Sequence, residues 1–107
     1  GEAYNIGGNN EIKNIDIVSI ICNKMDDFFP RTNKSSYTEL IDFVPDRPGH
    51  DFRYAIDTTK IQQTLSWFPK ENFETGIEKT INWYLKNKGW WNPILKNIYK
   101  QQRLGVI

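Results

Sequence analysis

The sequence has a single cysteine, Cys22, and a single histidine, His50. One thiol excludes an intrachain disulfide framework and any cysteine-built zinc site, and it fits a reducing, cytoplasmic compartment. One imidazole removes most metal-ligand sets and serine-histidine-aspartate schemes. Charge of one sign is also missing, since 14 Lys+Arg stand against 13 Asp+Glu. A formal charge of +1 gives no field from which to expect nucleic-acid or anionic-membrane binding. No apolar run approaches the roughly 18 residues that cross a bilayer. The opening Gly1-Glu2-Ala3 is neither a basic signal-peptide start nor an initiator methionine, so the expectation is a soluble piece of a longer protein. Neither G-x-G-x-x-G nor a lysine-bearing phosphate loop occurs, and Gly7-Gly8 alone does not make a cofactor cradle.

What remains fits one domain of 107 residues with a small core, short enough to need a neighbour for stability. The expected class is α/β, with three short strands and three or four helices. Residues 3–6 read as a strand before the Gly7-Gly8-Asn9-Asn10 loop. Residues 40–44 have the β-branched and aromatic content of a second strand, stopped by Pro45 and Pro48, and residues 52–56 alternate as a third.

Helical spacing is clearer. Ile15, Val18, Ile21, Cys22, Met25 and Phe28 recur at three- and four-residue intervals, predicting a helix capped by Asn14 and ending near Phe29, with Cys22 in its buried stripe. Asp57 is placed to cap a helix over 58–66, and Phe73, Ile77, Ile81, Tyr84 and Leu85 mark another over 73–87 with Gly89 just past its end. Ile94, Leu95, Ile98 and Tyr99 suggest a last short helix. Residues 31–38 are polar and aperiodic, and are expected to be a loosely ordered surface loop without function.

Candidate chemistry concentrates in Asp46-Arg47-Pro48-Gly49-His50, where Pro48 stiffens and Gly49 bends a turn that carries a guanidinium and an imidazole. Arginine grips phosphate through two parallel hydrogen bonds, and a neighbouring histidine can add one more or meet a ribose hydroxyl. The alternative is an exposed turn in which Arg47 pairs with Asp46 or Asp51 and His50 is solvated. Asn14 poses the same choice between capping its helix and facing a ligand. Tyr84 and Lys88 mimic a Tyr-x-x-x-Lys pair, but the tyrosine falls in an apolar stripe and the lysine at a helix end, where a cation suits the dipole. Trp83, Trp90, Trp91 and Tyr99 with Lys86, Lys88, Lys96 and Lys100 form a basic aromatic end that packing and snorkelling explain better than base stacking.

Tyr4-Asn5-Ile6-Gly7-Gly8, the Asn14-Ile15-Asp16 helix start, Asp46-Arg47-Pro48-Gly49-His50-Asp51 with Arg53-Tyr54-Ala55-Ile56-Asp57, then Leu65-Ser66-Trp67 and Thr80-Ile81-Asn82-Trp83-Tyr84 form a recognisable series. Their order and spacing resemble the carboxyl-terminal end of dTDP-glucose 4,6-dehydratases, extended short-chain dehydrogenases that act on nucleotide sugars. The resemblance spans nearly the whole chain and implies a two-part enzyme. An amino-terminal Rossmann domain, absent here, would hold NAD and the catalytic residues, and residues 1–107 would form the substrate-binding carboxyl-terminal domain. It further implies that Asp46, Arg47, Pro48, Gly49 and His50 line a nucleotide-diphosphate pocket, with Arg47 on the pyrophosphate, and that Asn14 contacts the nucleotide sugar. No catalytic, cofactor or metal residue is expected in this chain. For the whole enzyme the resemblance implies a homodimer that oxidises the glucose C4 hydroxyl with bound NAD, removes water across C5 and C6, and returns the hydride to C6. A UDP-sugar dehydratase, an epimerase and a non-enzymatic binding module remain as alternatives.

Overall fold

The computed structural model describes residues 1–97, with the side chain of Asn97 excepted. Among the described residues four α-helices form: α1 Asn14–Phe28, α2 Thr59–Leu65, α3 Phe73–Lys86 and α4 Lys88–Asn97, with a 3-10 turn at Tyr37–Leu40 between α1 and α2. Among the described residues there is no strand, so the expected α/β class with three strands is overturned. Residues 3–6 and 52–56 run without a ladder, and Leu40 closes the 3-10 turn, where the Ile41 amide donates to the Thr38 carbonyl. Alternating apolar residues become a strand only when another strand accepts their backbone bonds. Here the same side chains stand in solvent, led by Phe52 and Phe43.

The helices follow the three- and four-residue spacing, with adjustments at their ends. Asn14 is the first helical residue and not the cap; Lys13 takes that place in extended backbone with no side-chain bond to the helix. Asp57 lies one position before the cap of α2, yet its Oδ1 still accepts the Thr59 amide at 2.9 Å. Asn72 caps α3 by accepting from the Thr75 amide at 2.8 Å. Gly89 is inside α4, not beyond a helix, and only Asn87 separates α3 from α4. The expected Ile98 and Tyr99 positions lie outside the described residues.

Packing divides into two parts. α1 lies against the 3-10 turn and α3, and α3 against α4. α2 instead holds the amino-terminal segment: Lys60 Nζ donates to Glu2 Oε2 at 2.8 Å and to the Ala3 carbonyl at 3.0 Å, and lies over the Tyr4 ring. Thr58, the most buried of the described residues at 3% exposure, donates to Asn9 Oδ1 and accepts from Gln62 Nε2.

Among the described residues Ile61 and Ile81 are the buried hydrophobic ones, and Cys22 is half-buried, not a core thiol. The accessible surface is 9413 Å², against about 6,200 Å² expected for a compact chain of this mass. Much apolar surface is therefore uncovered.

The 31–38 segment departs from its expected looseness. Asp26 on α1 accepts from Ser36 Oγ at 2.6 Å and from the Tyr37 amide at 2.8 Å, while Tyr37 Oη donates to the Phe29 carbonyl at 2.9 Å. Arg31 adds a bond to the Ser36 carbonyl at 3.2 Å. A polar stretch is thus fixed by hydrogen bonds to one helix end, which apolar periodicity cannot reveal.

Candidate functional site

Pro48 and Gly49 form the corner of an exposed turn, and Gly49 has φ +69°, the left-handed conformation that glycine adopts without strain. Nothing lies within 4 Å of where a Gly49 Cβ would be, so the glycine meets a backbone requirement, not a crowding one. Asp46 Oδ1 accepts two hydrogen bonds within the turn, from the Arg47 amide and from His50 Nδ1, each at 2.8 Å. The His50 bond, followed by the Arg47 amide, holds the Asp46 carboxyl below its ordinary range.

The two acids beside Arg47 are already engaged. Asp46 serves the turn, and Asp51 Oδ2 accepts from Tyr54 Oη at 2.7 Å. Among the described residues the Arg47 guanidinium forms no ion pair. The structure therefore disfavours the surface-pair alternative for Arg47, and His50 is paired instead of simply solvated.

Downstream, Arg53 meets Glu11 at 3.2 Å, tying the segment after the turn to the loop before α1. Beside this pair lies a recess of about 290 Å³ lined by residues 7–11 and by Tyr54, Ala55 and Ile56. Asn14 begins the helix that follows the same loop; it is exposed and makes no side-chain hydrogen bond to the turn among the described residues. The structure thus brings Asp46, Arg47 and His50 together in one turn and leaves Asn14 separate. Sequence reading did not foresee the Glu11–Arg53 pair, because opposite charges far apart in sequence carry no local signal of their meeting.

A larger groove of about 550 Å³ runs along the outer face of α3, with Glu78, Lys79, Asn82, Trp83 and Lys86 in its wall. It holds none of the expected site residues, and it is less suited to a ligand. The Asn82 and Asn87 amides are spent on the Glu78 and Trp83 carbonyls, and Glu78 pairs with Lys24. Trp83 packs edge-on against Tyr84 and Trp90, Trp91 Nε1 donates to the Tyr84 carbonyl, and Lys88 lies over Phe29. The aromatic end is a set of mutually touching but largely exposed rings, with Lys88 on α4, so Tyr84 and Lys88 do not share a helix; Tyr99 and Lys100 lie outside the described residues.

The residues present do not fit NAD. The Gly7-Gly8 loop does not open a helix, since α1 begins at Asn14, and a Cβ at Gly8 would already meet Asn10 Nδ2 at 3.0 Å. A dinucleotide cradle needs a glycine loop running from a strand into a helix amino end.

The chain is 53% identical over 107 residues to a probable dTDP-glucose 4,6-dehydratase of Sinorhizobium fredii, covering 100% of this chain and 30% of that protein. It is 52% identical over 109 residues to a dTDP-glucose 4,6-dehydratase of Escherichia coli, with the same coverage of 100% and 30%. The crystal structure of dTDP-glucose 4,6-dehydratase from Bacillus anthracis in complex with NAD superposes with a TM-score of 0.68 at 41% identity, covering 84% of this chain and 25% of that one. The chain therefore spans 30% of the length of these curated relatives. A sequence profile described as GDP-mannose 4,6 dehydratase matches residues 1–80, and by that match over most of its length the chain belongs to the GDP-mannose 4,6 dehydratase family.

Proposed function

We propose that this chain is the substrate-binding part of a longer NAD-dependent dTDP-glucose 4,6-dehydratase, a lyase, and that it has no turnover by itself. The observation that carries this reading is the uncommitted Arg47 guanidinium on a glycine-bent turn whose two neighbouring acids are occupied. A guanidinium in that position suits the paired phosphoryl groups of an activated hexose, which accept its two parallel donors. The names of the relatives support dTDP-glucose as the substrate, and NAD in this reading is held by chain outside these residues. The exposed apolar side chains of residues 43, 44, 52 and 56 would then pack on that additional chain.

In this reading the chain contributes position. Arg47 grips the diphosphate, Gly49 sets the approach of the backbone, and Asn14 offers an amide to the nucleotide sugar from the start of α1. Fixing the diphosphate decides where the hexose lies, so binding energy remote from the reacting carbons is converted into rate elsewhere.

Calorimetric titration of the longer enzyme with dTDP and UDP, as wild type and as Arg47→Ala, tests the assignment. The expected result is tighter binding of dTDP and a loss of about tenfold or more in affinity for the variant, the value of one charge-assisted bond. Unchanged affinity in the variant would remove Arg47 from the site.

A further inference from the structure

Asp46 poses a difficulty for any site that receives a diphosphate, because a carboxylate facing phosphoryl oxygens repels them. Its geometry gives one of its two oxygens a defined task. Asp46 Oδ1 takes the Arg47 amide and His50 Nδ1 at once, so its bonding is turned back onto the turn that carries it. A carboxylate accepts and cannot donate, which requires the hydrogen of this pair to sit on His50 Nδ1. In neutral imidazole the other nitrogen, Nε2, then carries a lone pair and no hydrogen. The His50 side chain is 42% exposed, so it remains reachable from solvent.

We infer that Asp46 is a positioning residue that commits His50 Nδ1 and thereby presents Nε2 as the acceptor for a hydroxyl of the bound nucleotide sugar. The division of labour follows from the donors available. Arg47 offers only donors and suits the diphosphate, whereas the Nε2 of a neutral imidazole bonded through Nδ1 is an acceptor and suits an O–H of the ribose or hexose. The charged groups of the turn are Asp46, Arg47, Asp51 and Arg53; Asp51 bonds Tyr54 and Arg53 bonds Glu11, leaving Asp46 as the carboxylate paired with the imidazole. This inference rests on the substrate-binding reading of the turn but is separable from it.

Two measurements on the longer enzyme test it. Proton–nitrogen NMR of histidine-labelled enzyme, with the His50 signals assigned by their loss in His50→Gln, reads the tautomer directly. Wild type is expected to show Nδ1 protonated and Nε2 free near pH 8, Asp46→Asn to keep that pattern through its amide oxygen, and Asp46→Ala to drift toward a mixture. Steady-state kinetics should follow: KM for dTDP-glucose rises about tenfold in Asp46→Ala with kcat little changed, and Asp46→Asn recovers most of the loss.

A wild-type tautomer in Asp46→Ala overturns the inference, as does an Asp46→Asn variant that keeps the tautomer yet binds no better than Asp46→Ala. If instead the tautomer responds as expected while Arg47→Ala binds nucleotide normally, the geometric role of Asp46 stands and the diphosphate reading of the turn fails.

Discussion

Arg53 and Glu11 meet at 3.2 Å, joining the segment that leaves the Pro48-Gly49 corner to the loop that leads into Asn14. The pair links the two parts of the proposed site, although both side chains are well exposed. Exposed pairs of this kind contribute about 1 kcal/mol or less and weaken with salt. Arg53→Ala should therefore leave the urea midpoint nearly unchanged while raising KM for the nucleotide sugar severalfold. A larger loss of stability with an unaltered KM would place the pair in the fold and not in the site.

Gly49 supplies the second expectation. At φ +69° a β-carbon introduces about 1–2 kcal/mol of backbone strain, and the space around it is open, so Gly49→Ala acts through conformation alone. KM should rise by about tenfold with kcat retained, and Gly49→Asn, which tolerates the left-handed region better, should fall between. Kinetics of both variants check the ordering. Equal KM in wild type and Gly49→Ala would show that the corner need not keep this shape.

The third concerns Ser66, which closes α2 at φ 50°, ψ 33° while its amide donates to the Gln62 carbonyl at 3.0 Å. Ser66→Gly should stabilise the chain by about 1 kcal/mol, by removing a β-carbon from a left-handed position. Ser66→Val, branched at that same carbon, should destabilise it. Thermal melts of the two variants on opposite sides of wild type are the expected outcome.

How much of this could be read from the residues depends on the range of the interaction involved. Helices α1 and α3 were legible because Ile15 to Phe28 and Phe73 to Leu85 repeat an apolar face every three or four residues, a signal complete within one element. Strands were not, since alternation at 52–56 says only that a segment could pair, and no described partner accepts it. The end of α2 moved by one residue because Ser66 in left-handed backbone stops the helix without a glycine to announce it. Within the candidate site, the glycine-proline corner and its cation were visible locally, while the Asp46–His50 bond and the Glu11–Arg53 pair depend on how the chain turns. The ordering of 31–38 by Asp26 belongs to the same class of long-reach polar contact.

That contact sets the acid limit of the fold. Hydrogen bonds from Ser36 Oγ, then from the Tyr37 amide, hold the Asp26 carboxyl below the ordinary 3.8, with Arg31 acting in the same direction. Asp46, Asp57 and Glu71 are lowered too, by His50, Thr59 and Lys79 respectively as the leading partners. A carboxyl that is more acidic in the folded state is protonated first in the unfolded one, so its contribution is complete above the unfolded value and disappears as pH falls through the folded value. Stability should thus be level at neutral pH and decline below about pH 4, with a positive slope of free energy against pH in that window. Asp26→Asn keeps one acceptor oxygen for the Tyr37 amide, turns an amide donor toward Ser36 Oγ and no longer titrates, so it should lower stability at neutral pH and flatten the acid slope. Urea unfolding of wild type and Asp26→Asn between pH 2 and 7, followed by helical circular dichroism, measures both effects, and parallel curves for the two proteins would show that Asp26 does not carry this part of the acid response.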